Sequence, residues 1–124
     1  MKTEIEVTFV DQGADDDGWE RTEWRCLLTR GDRAMTVPFF TGLAHTEEPT
    51  ADQVVGCLMS DASAIEYASV DEWIEDMGVE ISSVRDVRKW EATYQSIGVQ
   101  TLQLRALLGD DFDSERDRLA EAGY

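Results

Sequence analysis

SVRDVRKWEATYQSIGVQTLQLRALL, residues 83–108, decides the fold class. Val87, Trp90, Tyr94, Ile97, Thr101, Leu104 and Leu108 recur at alternating steps of three and four, which keeps them on one stripe of an α-helix. The last turns are rich in Leu, and Gly109 follows as a helix-stopping residue. About 26 residues at 1.5 Å each make a rod of roughly 39 Å. Such a rod crosses a whole domain of 124 residues, so the other elements are expected to pack along it. Gly98 interrupts the pattern at a cost of about 1 kcal/mol relative to Ala, and marks a place for a bend or a close helix crossing.

Upstream of the rod, the first forty residues alternate. Ile5, Val7 and Phe9 fall on one face of a strand Glu4–Val10, with Glu4, Glu6 and Thr8 on the other. Asp11 to Gly18 (DQGADDDG) reads as a polar loop. Its acids miss the calcium-loop spacing, because position one would be Gly13 and position twelve Trp24. Trp24, Cys26 and Leu28 alternate in a second strand, and Met35, Val37 and Phe39 in a third. Gly31-Asp32 between them predicts a type II′ hairpin turn. Pro38 has no amide donor, so the third strand belongs at a sheet edge. One face of these strands is apolar enough to need a cover, and helices must supply it.

Two capping boxes announce those helices. Thr50 with Gln53 opens a helix from Ala51 to about Tyr67, striped by Val54, Leu58, Ala62 and Ile65, with Asp52 at its positive end. Ser69 with Glu72 opens a short helix burying Trp73, Ile74 and Met77, stopped by Gly78. A final helix over Asp110–Glu121 has Asp113 or Ser114 as its expected N-cap. The expected fold is therefore α+β, with a three-stranded antiparallel sheet packed against a helical layer built around residues 83–108, in one domain spanning 1–124. Trp73, Trp90, Tyr94, Phe9, Leu28, Val37, Leu58 and Leu104 are the expected core. Full burial of Trp90 would make Trp90→Ala cost about 3–5 kcal/mol.

Charge narrows the function. The net charge is −16, and no Lys or Arg occurs between Arg33 and Arg85. That stretch holds Glu47, Glu48, Asp52, Asp61, Glu66, Asp71, Glu72, Glu75, Asp76 and Glu80, and a second acidic run holds Asp15, Asp16 and Asp17. Many acidic proteins use charge for solubility alone. A field this one-sided also repels nucleic acid and membrane surfaces and attracts basic grooves. No apolar run is long enough to span a bilayer. The opening MKTEIEVTFV carries acids where a signal peptide would carry an apolar core, so a cytoplasmic protein is expected.

Catalytic chemistry finds little support. His45 is the one histidine, and Cys26 and Cys57 fall on or beside apolar stripes, where two buried, unreactive thiols are expected. Acid pairs such as Glu72 and Asp76 arise without catalytic need in a chain this acidic, and no phosphate-binding glycine loop is present. Arg85, Arg88 and Lys89 are offset by Asp86 and Glu91, and read as a solvated helix face rather than a nucleic-acid site. The expectation is a binding protein with no enzymatic role, cofactor or metal. Its partner would be a basic DNA-binding surface, and its state a monomer or weak dimer. Carboxylates about 6 Å apart at i and i+4 on a helix approach the charge density of duplex DNA, which has one charge per roughly 1.7 Å of axis. The residues expected to meet the partner are Asp15, Asp16, Asp17, Glu47, Glu48, Asp61, Glu66, Asp71, Glu72, Glu75 and Asp76.

The run WRCLLTRGDRAMTVPFFTGLAHTEEPTADQVVGCLMSDASAIEYA, Trp24–Ala68, resembles a family of small acidic proteins carried by phages and mobile elements. Its most distinctive pieces are Thr36-Val37-Pro38-Phe39-Phe40, Glu48-Pro49-Thr50-Ala51 and Ser60-Asp61-Ala62, and the later WEATYQ and LRALLGDDF resemble the same family. Some small acidic proteins of this kind are anti-CRISPR inhibitors, and others are antirestriction DNA mimics. The resemblance implies a phage product in the cytoplasm of an infected host, aimed at a nucleic-acid machine such as a type I CRISPR effector complex. It brings no catalytic motif. An antirestriction mimic and a phage structural or housekeeping protein are the alternatives.

Overall fold

Gly31 takes φ +64° while Asp32 keeps a negative φ, the pattern of a type II′ turn, and Arg30 pairs with Arg33 across it. That turn joins the central strand β2 (Glu20–Arg30) to β3 (Arg33–Gly42), and β1 (Glu4–Ala14) pairs with the other side of β2. Both pairings are antiparallel, and β3 with its Pro38 lies at an edge, as the missing amide requires. The helices are α1 (Ala51–Ala62), α2 (Val70–Met77), α3 (Val84–Leu108) and, after one 3₁₀ turn at Gly109–Asp111, α4 (Phe112–Glu121). The computed structural model describes residues 1–14, 18–43, 47–62, 69–78 and 82–124. The expected continuation of α1 through Ile65 to Tyr67, and the side chain of Met77, lie outside that description.

The α+β architecture expected from the sequence is the observed one, with α3 as its longest element. Ser83 caps α3 by accepting a hydrogen bond at its Oγ from the Asp86 N–H, 3.2 Å away, and the helix runs through Gly98 as one element. Its C-terminal half supplies Leu104, Leu107 and Leu108 to the main core. They meet Trp24, Cys26, Leu28, Met35 and Val37 of the sheet, Val54, Val55 and Leu58 of α1, and Phe112 and Leu119 of α4. A second, smaller cluster holds Trp73, Ile74 and Ile97, with Trp90 and Tyr94 half-buried against it.

Four expectations change. β1 does not stop at Val10; it continues to Ala14 through a bulge, where the register jumps from Phe9 opposite Trp24 to Asp11 opposite Glu23. Phe9 is not core: it is 56% exposed, touching Trp24 only edge-on at 5.9 Å between ring centroids. The reason is placement, since α3 crosses β3 and β2 and leaves β1 at the margin. Trp90 is only half-buried, so its truncation removes less than a full core contact. Neither Asp113 nor Ser114 caps α4. The residue before the helix is Asp111, and the Ser114 hydroxyl donates to the Asp111 carbonyl. The Asp111 carboxylate is taken by Arg30, whose Nη2 lies 2.7 Å away.

Candidate acidic interface

α2 is a two-turn helix specified at both ends. Ser69 Oγ accepts from the Glu72 N–H at 3.2 Å, and the Gly78 N–H donates to the Glu75 carbonyl at 3.1 Å with φ +68°. Trp73 and Ile74 point inward, where the Trp73 ring meets Trp90 and Tyr94, each at 5.6 Å between centroids. Asp71, Glu72, Glu75 and Asp76 all project outward and are exposed. Asp71 and Glu72 sit in the first turn, where the helix dipole favours a negative charge. Glu75 and Asp76 sit at the other end, in a last turn that itself holds no basic residue. Acids at a helix C-terminus lose about 0.3–1 kcal/mol each. The helix dipole therefore does not favour their placement.

The remaining candidate acids do not join this face. Glu47 and Glu48 are exposed ahead of α1, beside a cleft of about 580 Å³ lined by Phe39, Phe40, Thr41, Cys57 and Ser60. Asp61 is exposed in the last turn of α1, and desolvation pushes its carboxyl upward. Asp15, Asp16, Asp17 and Glu66 lie outside the described residues, as do Glu80 and His45. The candidate acids thus fall in at least two groups on different elements, and among the described residues the α2 quartet is the group that shares one compact face.

The stretch that lacks bases in sequence is not free of them in space. α4 delivers Arg118 to Asp52, with Nη2 and Nη1 at 2.9 and 3.3 Å from the two carboxylate oxygens, and the same guanidinium takes Glu115 at 2.8 Å. The hydrogen bond from Arg118 holds the Asp52 carboxyl below its ordinary range. Asp52 thereby joins α1 to α4. No local pattern signalled that pairing, which spans 66 residues.

The cysteines correct one expectation. Cys26 is buried in the central strand β2, whereas Cys57 is exposed on α1. Burial pushes the Cys26 thiol upward, and desolvation followed by the nearby Asp61 charge pushes the Cys57 thiol upward. A raised thiol carries less thiolate at neutral pH and is a poorer nucleophile. Among the described residues no group of His, Cys, Asp and Glu has the arrangement to hold a metal ion, and no helix is long and apolar enough to cross a membrane. No family model, curated protein or solved structure matches the chain.

Proposed function

We propose that the protein acts by binding, as an acidic inhibitor whose α2 face occupies the basic DNA-binding channel of a host defence complex. A CRISPR effector, of type I in the narrowest form of the proposal, is the first target class, and a restriction enzyme is the second. The observation that carries this reading is the exposed quartet Asp71, Glu72, Glu75 and Asp76 on one short, doubly capped helix. Eight residues at 1.5 Å each span about 12 Å. One DNA strand places a phosphate every 3.4 Å or so, giving about three to four charges over that length. α2 therefore matches a single strand in charge density on a preorganised support. Glu47, Glu48, Asp61 and, from outside the described residues, Asp15, Asp16, Asp17 and Glu66 would extend the acidic field. The resemblance of Trp24–Ala68 to small acidic phage proteins supports the biological setting.

The test is capture of a complex from host lysate, followed by competition with target duplex DNA on the recovered complex. Binding should be mutually exclusive with DNA and should weaken steeply with salt, because exposed charges are screened beyond about 8 Å at physiological ionic strength. Glu72→Lys, Glu75→Lys and Asp76→Lys together should abolish most of the affinity, while Asp117→Lys with Glu121→Lys should leave it nearly intact. Substituting His45, Cys26 or Cys57 should not remove function from a folded protein. Simultaneous, undiminished binding of protein and DNA to the complex would overturn the proposal.

A further inference from the structure

α3 carries a second stripe that the fold does not use. Ala92, Gln95, Val99, Leu102 and Ala106 recur at steps of three and four, and all are exposed. They lie about half a turn of the helix away from the buried residues Ile97, Thr101, Leu104 and Leu108. Val99 is 57% exposed and Leu102 68%. A helix that packs on a domain with one face normally presents charged and polar residues on the other. Here Val99, Leu102 and Ala106 form an exposed apolar line along the C-terminal half, with Gln95 and Gln103 beside it.

We propose that this stripe is a self-association seam, occupied by α3 of a second copy running antiparallel. The charges at its two ends select that occupant and that direction. Arg85 and Arg88 are exposed just before the seam begins; Asp110 is exposed just past its end, as is Asp113 in the first turn of α4, where it also pairs with Arg116 at 3.4 Å. An antiparallel pair sets the two arginines of each copy against the two aspartates of the other, and does so twice by symmetry. A parallel pair sets like charge on like at both ends. In the register that sets Arg88 against Asp110, Val99 of one copy faces Val99 of the other and Ala92 faces Ala106. α3 also holds Arg85, Arg88, Lys89 and Arg105 against only Asp86 and Glu91, making it locally basic within a chain of net charge −16. Two copies repel each other least along that element. One helix per copy makes an interface of the small class, below about 1,200 Å², so the dimer is concentration-dependent. The acidic face of α2 plays no part in it, and the dimer would present that face twice.

Sedimentation equilibrium of the full chain over rising concentration tests the proposal, with far-UV circular dichroism as the check on folding. The wild type should pass from monomer to dimer. Val99→Glu with Leu102→Glu should weaken association at least about tenfold with the helical signal unchanged. Arg85→Glu with Arg88→Glu should also weaken it, and adding Asp110→Arg and Asp113→Arg to the same chain should restore it. A wild type that stays monomeric at every concentration, or a dimer indifferent to Val99→Glu and Leu102→Glu, overturns the seam. Failure of the four-residue charge swap to restore association overturns the antiparallel arrangement.

Discussion

The two ends of α3 rest on unequal foundations. Its C-terminal half is sunk into the main core, where Leu104, Leu107 and Leu108 meet the sheet, α1 and α4. Its N-terminal half touches a satellite of Trp73, Ile74 and Ile97, with Trp90 and Tyr94 only partly covered. The main core draws on residues from β2 at one end of the chain to α4 at the other, so losing any one contact is felt by the whole domain. The satellite joins α2 to one stretch of one helix. The acidic quartet rides on the satellite, so the face proposed to bind is held by the less extensive of the two clusters. Strong charge is easier to concentrate where little else must pack.

Leu104→Ala gives the largest expected effect. It removes a fully buried side chain from the centre of the main core and should lower global stability by about 2–5 kcal/mol, read from denaturant midpoints. Trp73→Ala removes a larger side chain from the satellite, yet the damage should stay local. Amide exchange in α2 should lose its protection, and affinity for a basic partner should fall, while protection in β2 is retained. Trp90→Ala should follow the same pattern more weakly, because Trp90 is already half-exposed. Global unfolding by Trp73→Ala equal to that of Leu104→Ala would show that the two clusters fold as one unit.

Acid sharpens the contrast. Hydrogen bonds from Arg30 to Asp111 and from Arg118 to Asp52 hold both carboxyls below their ordinary range, and both pairs brace α4 and the turn before it. A carboxyl whose folded pKa lies below its unfolded value of about 3.9 stabilises the fold above that pH. The contribution is lost as pH falls through the folded value. Asp86, held down first by the Ser82 hydroxyl, acts in the same direction at the start of α3. Asp61, pushed upward by desolvation, acts in the opposite direction: its contribution is complete in acid and fades as pH rises through its raised value. Stability should therefore decline below about pH 4, and Asp52→Asn with Asp111→Asn should flatten that decline. An unaltered acid limb in the double variant would remove these two pairs from the account.

What was legible in the sequence was local. The Gly31-Asp32 turn, the Thr50 and Ser69 caps, the Ser83 start and the α3 stripe each declare themselves within a few residues, because their determinants are turn dihedrals, capping atoms and helical period. The α2 quartet was readable for the same reason. The bulge at Val10 was not, since one extra residue reverses the alternation and lets Asp11–Ala14 pass for a loop although it pairs with Glu20–Glu23. The N-cap of α4 was missed because Asp111 answers to Arg30, 81 residues away. Phe9 looked like core because alternation tells which face a residue takes and says nothing about how far the covering helix extends. The second stripe on α3 was present in the sequence, but with Val99 and Leu102 as its only large apolar residues it does not stand out beside the buried one.

The smallest expected effect is also the most closely matched. Thr50 and Ser69 do the same work at the starts of two helices: Thr50 Oγ1 accepts from the Gln53 N–H at 3.2 Å, and Ser69 Oγ accepts from the Glu72 N–H at 3.2 Å. Removing either hydroxyl should cost its helix a similar amount, about 0.5–2 kcal/mol. The consequences should differ because the helices are anchored differently. α1 buries Val54, Val55 and Leu58 in the main core, so α1 unfolds only with the domain, and Thr50→Ala should move the global denaturation midpoint by its full cost. α2 rests on the smaller cluster, so Ser69→Ala should leave the midpoint nearly unmoved and increase the fraction of time that α2 is open. If the quartet binds only as a formed helix, that opening lowers affinity with every carboxylate still in place. Equal midpoint shifts for the two variants would erase the distinction between the regions. A silent midpoint with weakened binding in Ser69→Ala would tie recognition to the shape of α2 as well as to its charge.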